Sequence, residues 1–198
     1  MTPKALCVFC GSSPGQDPVF RDAARALARE LVTRGIRLVY GGGNVGLMGE
    51  VSAAVMDAGG AVTGIIPHAL MAREKGKRDI THLEVVATMH ERKARMAELS
   101  DGFIAMPGGY GTLEELFEAV TWSQLGIHRK PVALLNVKGF YDPLLQMLDR
   151  AIAEGFLRSQ HRGLVLVAET PGALLDAVAA WQAPAAEAWQ LPGDKLGT

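Results

Sequence analysis

Seven short runs of Val, Ile, Leu and Ala recur along the chain, at 5–10, 36–40, 61–66, 83–87, 102–106, 132–136 and 164–167, and amphipathic stretches long enough for helices separate them. A run that is apolar on both sides of the pleat suits a strand covered on both faces, and strands alternating with helices build a parallel sheet. The expected fold class is therefore α/β, a single-domain Rossmann-like doubly wound parallel sheet flanked by helices. A chain of 198 residues buries such a core without metal or disulfide support.

Helix starts are legible where an oxygen-bearing side chain precedes proline, because the first caps a free amide and the second is preset for the first turn. Asp17-Pro18, Asp142-Pro143 and Thr170-Pro171 place starts near 18, 143 and 171. The tetrads T-M-H-E at Thr88 and T-L-E-E at Thr112 read as capping boxes. Past Trp181 the periodicity fades and Pro and Gly accumulate, so the domain is expected over residues 1–180, with a loosely ordered tail over 181–198 that Trp189 partly anchors. There is no internal repeat.

Twenty Lys and Arg against 21 Asp and Glu leave a net charge of −1, which argues against a nucleic-acid partner and for a small molecule. No apolar run approaches the roughly 20 residues of a membrane span, and the N-terminal stretch lacks the layout of a signal peptide, so a cytoplasmic location is expected. Cys7 and Cys10 lie in one strand at an odd spacing, which sends them to opposite faces as buried thiols. With so few cysteines and five scattered histidines, no metal site is expected.

Ligands of an open parallel sheet bind beyond the carboxyl ends of the strands, and three loops there are glycine rich: "GSSPG" (11–15), "GGGNVGLMG" (41–49) and "PGGYG" (107–111). The second contains Gly41-x-Gly43-x-x-Gly46, a formal dinucleotide fingerprint, but the acid that should follow the next strand is missing from "TGIIPHAL". The third lacks the G-K-[ST] of a triphosphate loop. What it offers is a nest of backbone amides from Gly109, Gly111 and Thr112 at a helix start, suited to one phosphate.

Two polar features stand out beside these loops. Arg92 shares a helical stripe with Met89, Met96 and Leu99, so it must either snorkel or meet an anion, and its place in the first turns favours an anion. Glu114, Glu115 and Glu118 follow the phosphate nest. Their charge suits a helix N-terminus, and Glu115 completes a capping box with Thr112. A carboxylate about one sugar away from a held phosphate is also placed to act at an anomeric carbon.

"MHERKARM" followed by "PGGYGTLEE" resembles the Lonely Guy family, the cytokinin riboside 5′-monophosphate phosphoribohydrolases, through M-x-x-R-K and P-G-G-x-G-T-x-x-E. The likeness extends through "FCGSSPG", "YGGGNVGLMG" and "TWSQLGIHRKPVALLN", over roughly residues 5–155. It implies hydrolysis of a purine nucleoside 5′-monophosphate to free base and ribose 5-phosphate, with no cofactor, by a homo-oligomer, most often a homodimer, whose active site lies near the subunit contact. Arg92 and Glu115 match the family's catalytic pair. Lys93, Gly108, Gly109, Tyr110, Gly111, Thr112, Leu113, Glu114 and Thr121 match nucleotide-contacting positions, Ser13 and Gly43 lie in the other two matching loops, and Glu74 falls where the family has a substrate-binding glutamate. The lysine decarboxylase label carried by such sequences finds no lysine setting suited to a Schiff base here. A non-catalytic nucleotide or cofactor carrier, such as the molybdenum cofactor carriers of related fold, is the alternative.

Overall fold

The protein is described here by a computed structural model covering residues 3–74, 76 and 79–183. Seven strands form one sheet: β1 (Ala5–Phe9), β2 (Arg37–Tyr40), β3 (Val62–Pro67), β4 (His82–Val86), β5 (Phe103–Ala105), β6 (Val132–Leu135) and β7 (Val165–Ala168). Their order is β4-β3-β2-β1-β5-β6-β7, and every pairing is parallel. The winding reverses between β1 and β5, which opens a crevice above their carboxyl ends. All seven expected strands are present, and the fold is the expected one.

Among the described residues six α-helices cover the sheet: α1 (Val19–Thr33), α2 (Gly46–Asp57), α3 (Met89–Glu98), α4 (Tyr110–Gln124), α5 (Asp142–Ala153) and α6 (Pro171–Ala180). One apolar cluster joins Leu27, Leu31, Val51, Val55 and Leu174 to Leu6, Val8 and Cys10 of the sheet's first face, and another joins Met96, Leu116 and Ala119 to Cys7, Phe9 and Phe103 on the second. Cys7 and Cys10 are thus buried free thiols on opposite faces, as their spacing required. The edge strands depart from the two-sided pattern: Val85 of β4 and Val167 of β7 are exposed, because each edge lacks a neighbour.

The caps follow the sequence in three cases. Asp17 accepts a hydrogen bond from the Val19 amide, Thr88 from the Glu91 amide and Thr170 from the Ala173 amide. Two starts differ. Asp142 is itself helical, and its carboxylate accepts from Asn136 Nδ2. Helix α4 begins two residues before Thr112, with Gly109 at its cap, so Thr112 is buried in the first turn and makes no capping box with Glu115. The tail expected from 181 falls, from residue 184 on, outside the described residues, and so does Trp189. Among the described residues no helix is long and apolar enough to cross a membrane.

Candidate active site

The three glycine loops meet at the switch point. The Gly11 amide donates to the Pro107 carbonyl at 3.1 Å, and the Leu47 amide to the Gly11 carbonyl at 3.0 Å, tying the loops after β5 and β2 to the loop after β1. Gly46, at φ +55°, lets α2 approach so closely that a Cβ there would sit 2.3 Å from the Ser12 carbonyl carbon. The fingerprint glycines are therefore accounted for by packing. Two adjoining cavities remain open above the sheet, and they share Ser12 and Gly109.

The larger cavity, about 260 Å³, runs along Gly11, Ser13, Gly108 and Phe140. The smaller, about 150 Å³, is bounded by Glu74, Arg92, Gly111, Thr112 and Glu115. The start of α4 borders both. Amides of the first helical turn have no acceptor within the helix, and the Leu113 amide is the first to find one, the Gly109 carbonyl at 3.1 Å. Nothing lies within 4 Å of where a Cβ of Gly109 or Gly111 would stand, so this N-terminus faces open space. Gly108 is different: a Cβ would meet the Thr112 hydroxyl at 2.1 Å, so glycine there lets the loop close over its own helix.

Arg92 is buried at 5% exposure and does not snorkel. Its Nε donates to the Ile65 carbonyl at 3.1 Å, in the second half of β3, and its Nη2 to the Gly41 carbonyl at 3.0 Å, directly after β2. Glu74 Oε2 lies 3.8 Å from Nη2 as an ion pair and makes no hydrogen bond, so a buried carboxylate oxygen and a buried guanidinium stand side by side on the lining of the small cavity. Met89 is not on a buried stripe; it is 41% exposed, with its sulfur 3.8 Å from Arg92 Nη1. A Cβ on Gly41 would stand 1.8 Å from Nη2, so the position of Arg92 requires glycine there. Gly43 makes similar room, for Met48 and Glu74.

Glu115 lies one turn into α4, between the small cavity and an apolar slot walled by Phe9, Phe103, Ala119 and Trp122. Desolvation pushes its carboxyl up to about 7; Arg92 acts downward, while Glu114 and Glu74 add to the rise. A carboxyl that titrates near neutrality in a cavity is suited to proton transfer. Lys93 lines the slot beside Glu115, and its charge also acts downward on that carboxyl. Its Nζ binds Glu114 Oε1 at 2.5 Å and Glu118 Oε2 at 2.7 Å, and although burial pulls it down, these two carboxylates hold it above its ordinary range.

The expected residues thus divide. Gly109, Tyr110, Gly111, Thr112, Glu74, Arg92 and Glu115 border the small cavity, and Ser13 and Gly108 the large one. Lys93 and Glu114 pair with each other beside it, Leu113 is half-buried, and Thr121 lies on the exposed side of α4 and borders neither cavity. Sequence reasoning passed over Ser12, which the two cavities share, and named Gly41 only within the formal dinucleotide fingerprint, not as the seat of Arg92. Only their place in glycine-rich loops could have drawn attention to them.

A family model described as "possible lysine decarboxylase" matches residues 48–178. A probable cytokinin riboside 5′-monophosphate phosphoribohydrolase of Oryza sativa subsp. japonica is 56% identical over 170 residues, covering 86% of this chain and 76% of its own. The chain belongs to this family. A second Lonely Guy member, a cytokinin riboside 5′-monophosphate phosphoribohydrolase of Arabidopsis thaliana, is 56% identical over 167 residues, covering 84% and 78%. Among solved structures, the molybdenum cofactor binding protein of Rippkaea orientalis shares the fold with a TM-score of 0.63 and 25% identity, covering 85% of this chain and 90% of that one. The decarboxylase wording fits the site poorly, since Lys93, next to Arg92 in α3, is held charged between two carboxylates.

Proposed function

We propose that this chain hydrolyses the N-glycosidic bond of a purine nucleoside 5′-monophosphate, of the adenosine or cytokinin type, releasing free base and ribose 5-phosphate. One observation carries the reading: the open N-terminus of α4 and the Glu115 carboxyl border the same small cavity. The names of relatives that share more than half of the sequence support it.

In this mechanism the free amides at the start of α4 hold the phosphate, assisted by the helix dipole. Breaking the bond at C1′ builds positive charge on the ribose, by analogy with the oxocarbenium-like state of glycoside hydrolysis. Ionised Glu115 stabilises that charge and orients or deprotonates the attacking water. Arg92, fixed by the Ile65 and Gly41 carbonyls, offsets the carboxylates, and Glu74 beside it contacts the nucleotide. Remote phosphate binding then serves to place the sugar against Glu115. The same Glu115 argues against a carrier, which has no use for a carboxylate beside a bound phosphate.

A homodimer completes this reading. Phe117, Thr121 and Leu125 recur at four-residue spacing on one side of α4, and Phe117, Leu125 and nearby Ile127 expose 36%, 66% and 64% of their surface. A second copy seated there covers this apolar stripe and brings Thr121 to a neighbouring site. The activity belongs in the cytoplasm, which keeps free thiols such as Cys7 and Cys10 reduced.

Chromatography of AMP and N6-modified adenine nucleotides incubated with the protein tests the proposal. Free base is expected from the wild type, and Glu115→Gln should lower turnover by about 10²–10⁴-fold while phosphate-dependent binding survives. Absence of base release from every purine monophosphate overturns the reading; equal turnover by the two proteins removes Glu115 from it.

A further inference from the structure

The turn between β6 and α5, residues 136–141, reaches both loops that frame the crevice. From one end, Lys138 Nζ pairs with Asp17 Oδ2 at 2.7 Å, and Asp17 terminates the loop after β1 by capping α1. From the other, the Tyr141 hydroxyl donates to the Met106 carbonyl at 2.6 Å, directly before the Pro107-Gly108-Gly109 loop. Between them Phe140 forms a wall of the larger cavity and packs edge-on against Phe20 across it.

The turn is itself held in an unusual conformation. Lys138 is the one non-glycine residue with positive φ among those described, at +54°, a conformation that persists only where its surroundings enforce it. Asn136 supplies part of that enforcement, accepting from the Tyr141 amide and donating to Asp142 Oδ1, both at 2.7 Å. Tyr141 is 1% exposed, and burial raises its phenol, so it remains a donor. The Met106 carbonyl lies one residue past the β5–β6 ladder, which ends at Ala105 and Leu134, so the hydroxyl takes over where strand pairing stops.

We infer that Tyr141 is a positioning residue for phosphate binding: its hydroxyl fixes the Met106 carbonyl and thereby the direction in which the glycine loop and the first amides of α4 present themselves. The inference rests on the proposed placement of the substrate phosphate at α4. Tyr141→Phe keeps the ring and removes only the hydroxyl. The expected result is a KM for AMP and an inhibition constant for ribose 5-phosphate that each rise about ten-fold, equivalent to one lost net hydrogen bond, while turnover at saturation changes less than about three-fold.

A lower melting temperature with wild-type KM and inhibition constant would overturn the inference, because the hydroxyl would then serve folding alone. Should Tyr141→Phe fail to fold, Lys138→Gly decides instead. It relaxes the positive φ and cuts the tie to Asp17 at an exposed position, and a KM raised about three-fold supports the positioning role, whereas an unchanged KM overturns it. Ribose 5-phosphate binding, followed by calorimetry, is read independently of turnover. Tight binding by a wild type that releases no base would break the proposed reaction and leave the positioning role standing.

Discussion

The loops that precede α2 and α4 look alike in sequence, "GGGNVG" and "PGGYG", yet their glycines answer different needs. Before α2, added methyl groups would strike Arg92 from Gly41, Met48 from Gly43 and the Ser12 backbone from Gly46, and the Leu47 amide is already bonded to Gly11. Before α4, Gly109 and Gly111 have nothing within 4 Å of a Cβ. Every glycine compared in the first loop lets the protein close on itself, whereas in the second Gly108 alone does so and Gly109 and Gly111 leave a helix end open. Glycine counts alone cannot separate a packing loop from a binding loop; the atoms beside each Cα do.

The sharpest way to break this contrast is a matched pair of alanines. Gly46→Ala forces a Cβ into the Ser12 backbone at a positive φ and should cost about 3 kcal/mol or more of stability by denaturant unfolding. Gly109→Ala should fold with stability within about 1 kcal/mol of wild type but raise the KM for AMP about ten-fold, since its methyl borders both cavities. Equal losses of stability in the two variants would dissolve the distinction.

A smaller effect sharpens it from the side of charge. The Glu115 carboxyl is raised from 4.5 to about 7 by desolvation, so between those values the folded protein binds more protons than the unfolded chain. Stability contributed by this group is present at low pH and lost as pH rises through that window. The fall in melting temperature of the free protein from about pH 5 to pH 7.5 should be steeper in wild type than in Glu115→Gln. Parallel curves would mean that Glu115 is solvated like any surface acid.

Much of the scaffold was readable because its causes are local. Asp17, Thr88 and Thr170 announce their helices through caps that depend on three or four neighbouring residues, and the seven apolar runs announce the sheet. The start of α4 was misread for an instructive reason. T-L-E-E satisfies the capping-box pattern at Thr112, but the Gly108–Gly109 backbone folds over the Thr112 side chain and begins the helix two residues earlier. At the site, the awkward place of Arg92 was legible while its partners were not, because the Ile65 and Gly41 carbonyls lie 27 and 51 residues away in sequence. Glu74 reached the cavity through the Asn44 amide, which binds its carbonyl at 2.9 Å, a link no local pattern encodes. Thr121 was placed by resemblance, and it lies on the exposed side of α4, apart from both cavities.

The central claim is that one helix start holds the phosphate while the carboxylate a turn later faces the sugar. A crystal structure of Glu115→Gln with AMP bound tests it most directly. The account predicts phosphate oxygens about 3 Å from backbone amides within Gly109–Thr112, with the residue 115 side chain beside C1′. A phosphate seated elsewhere, or residue 115 turned away from the ribose, would contradict it.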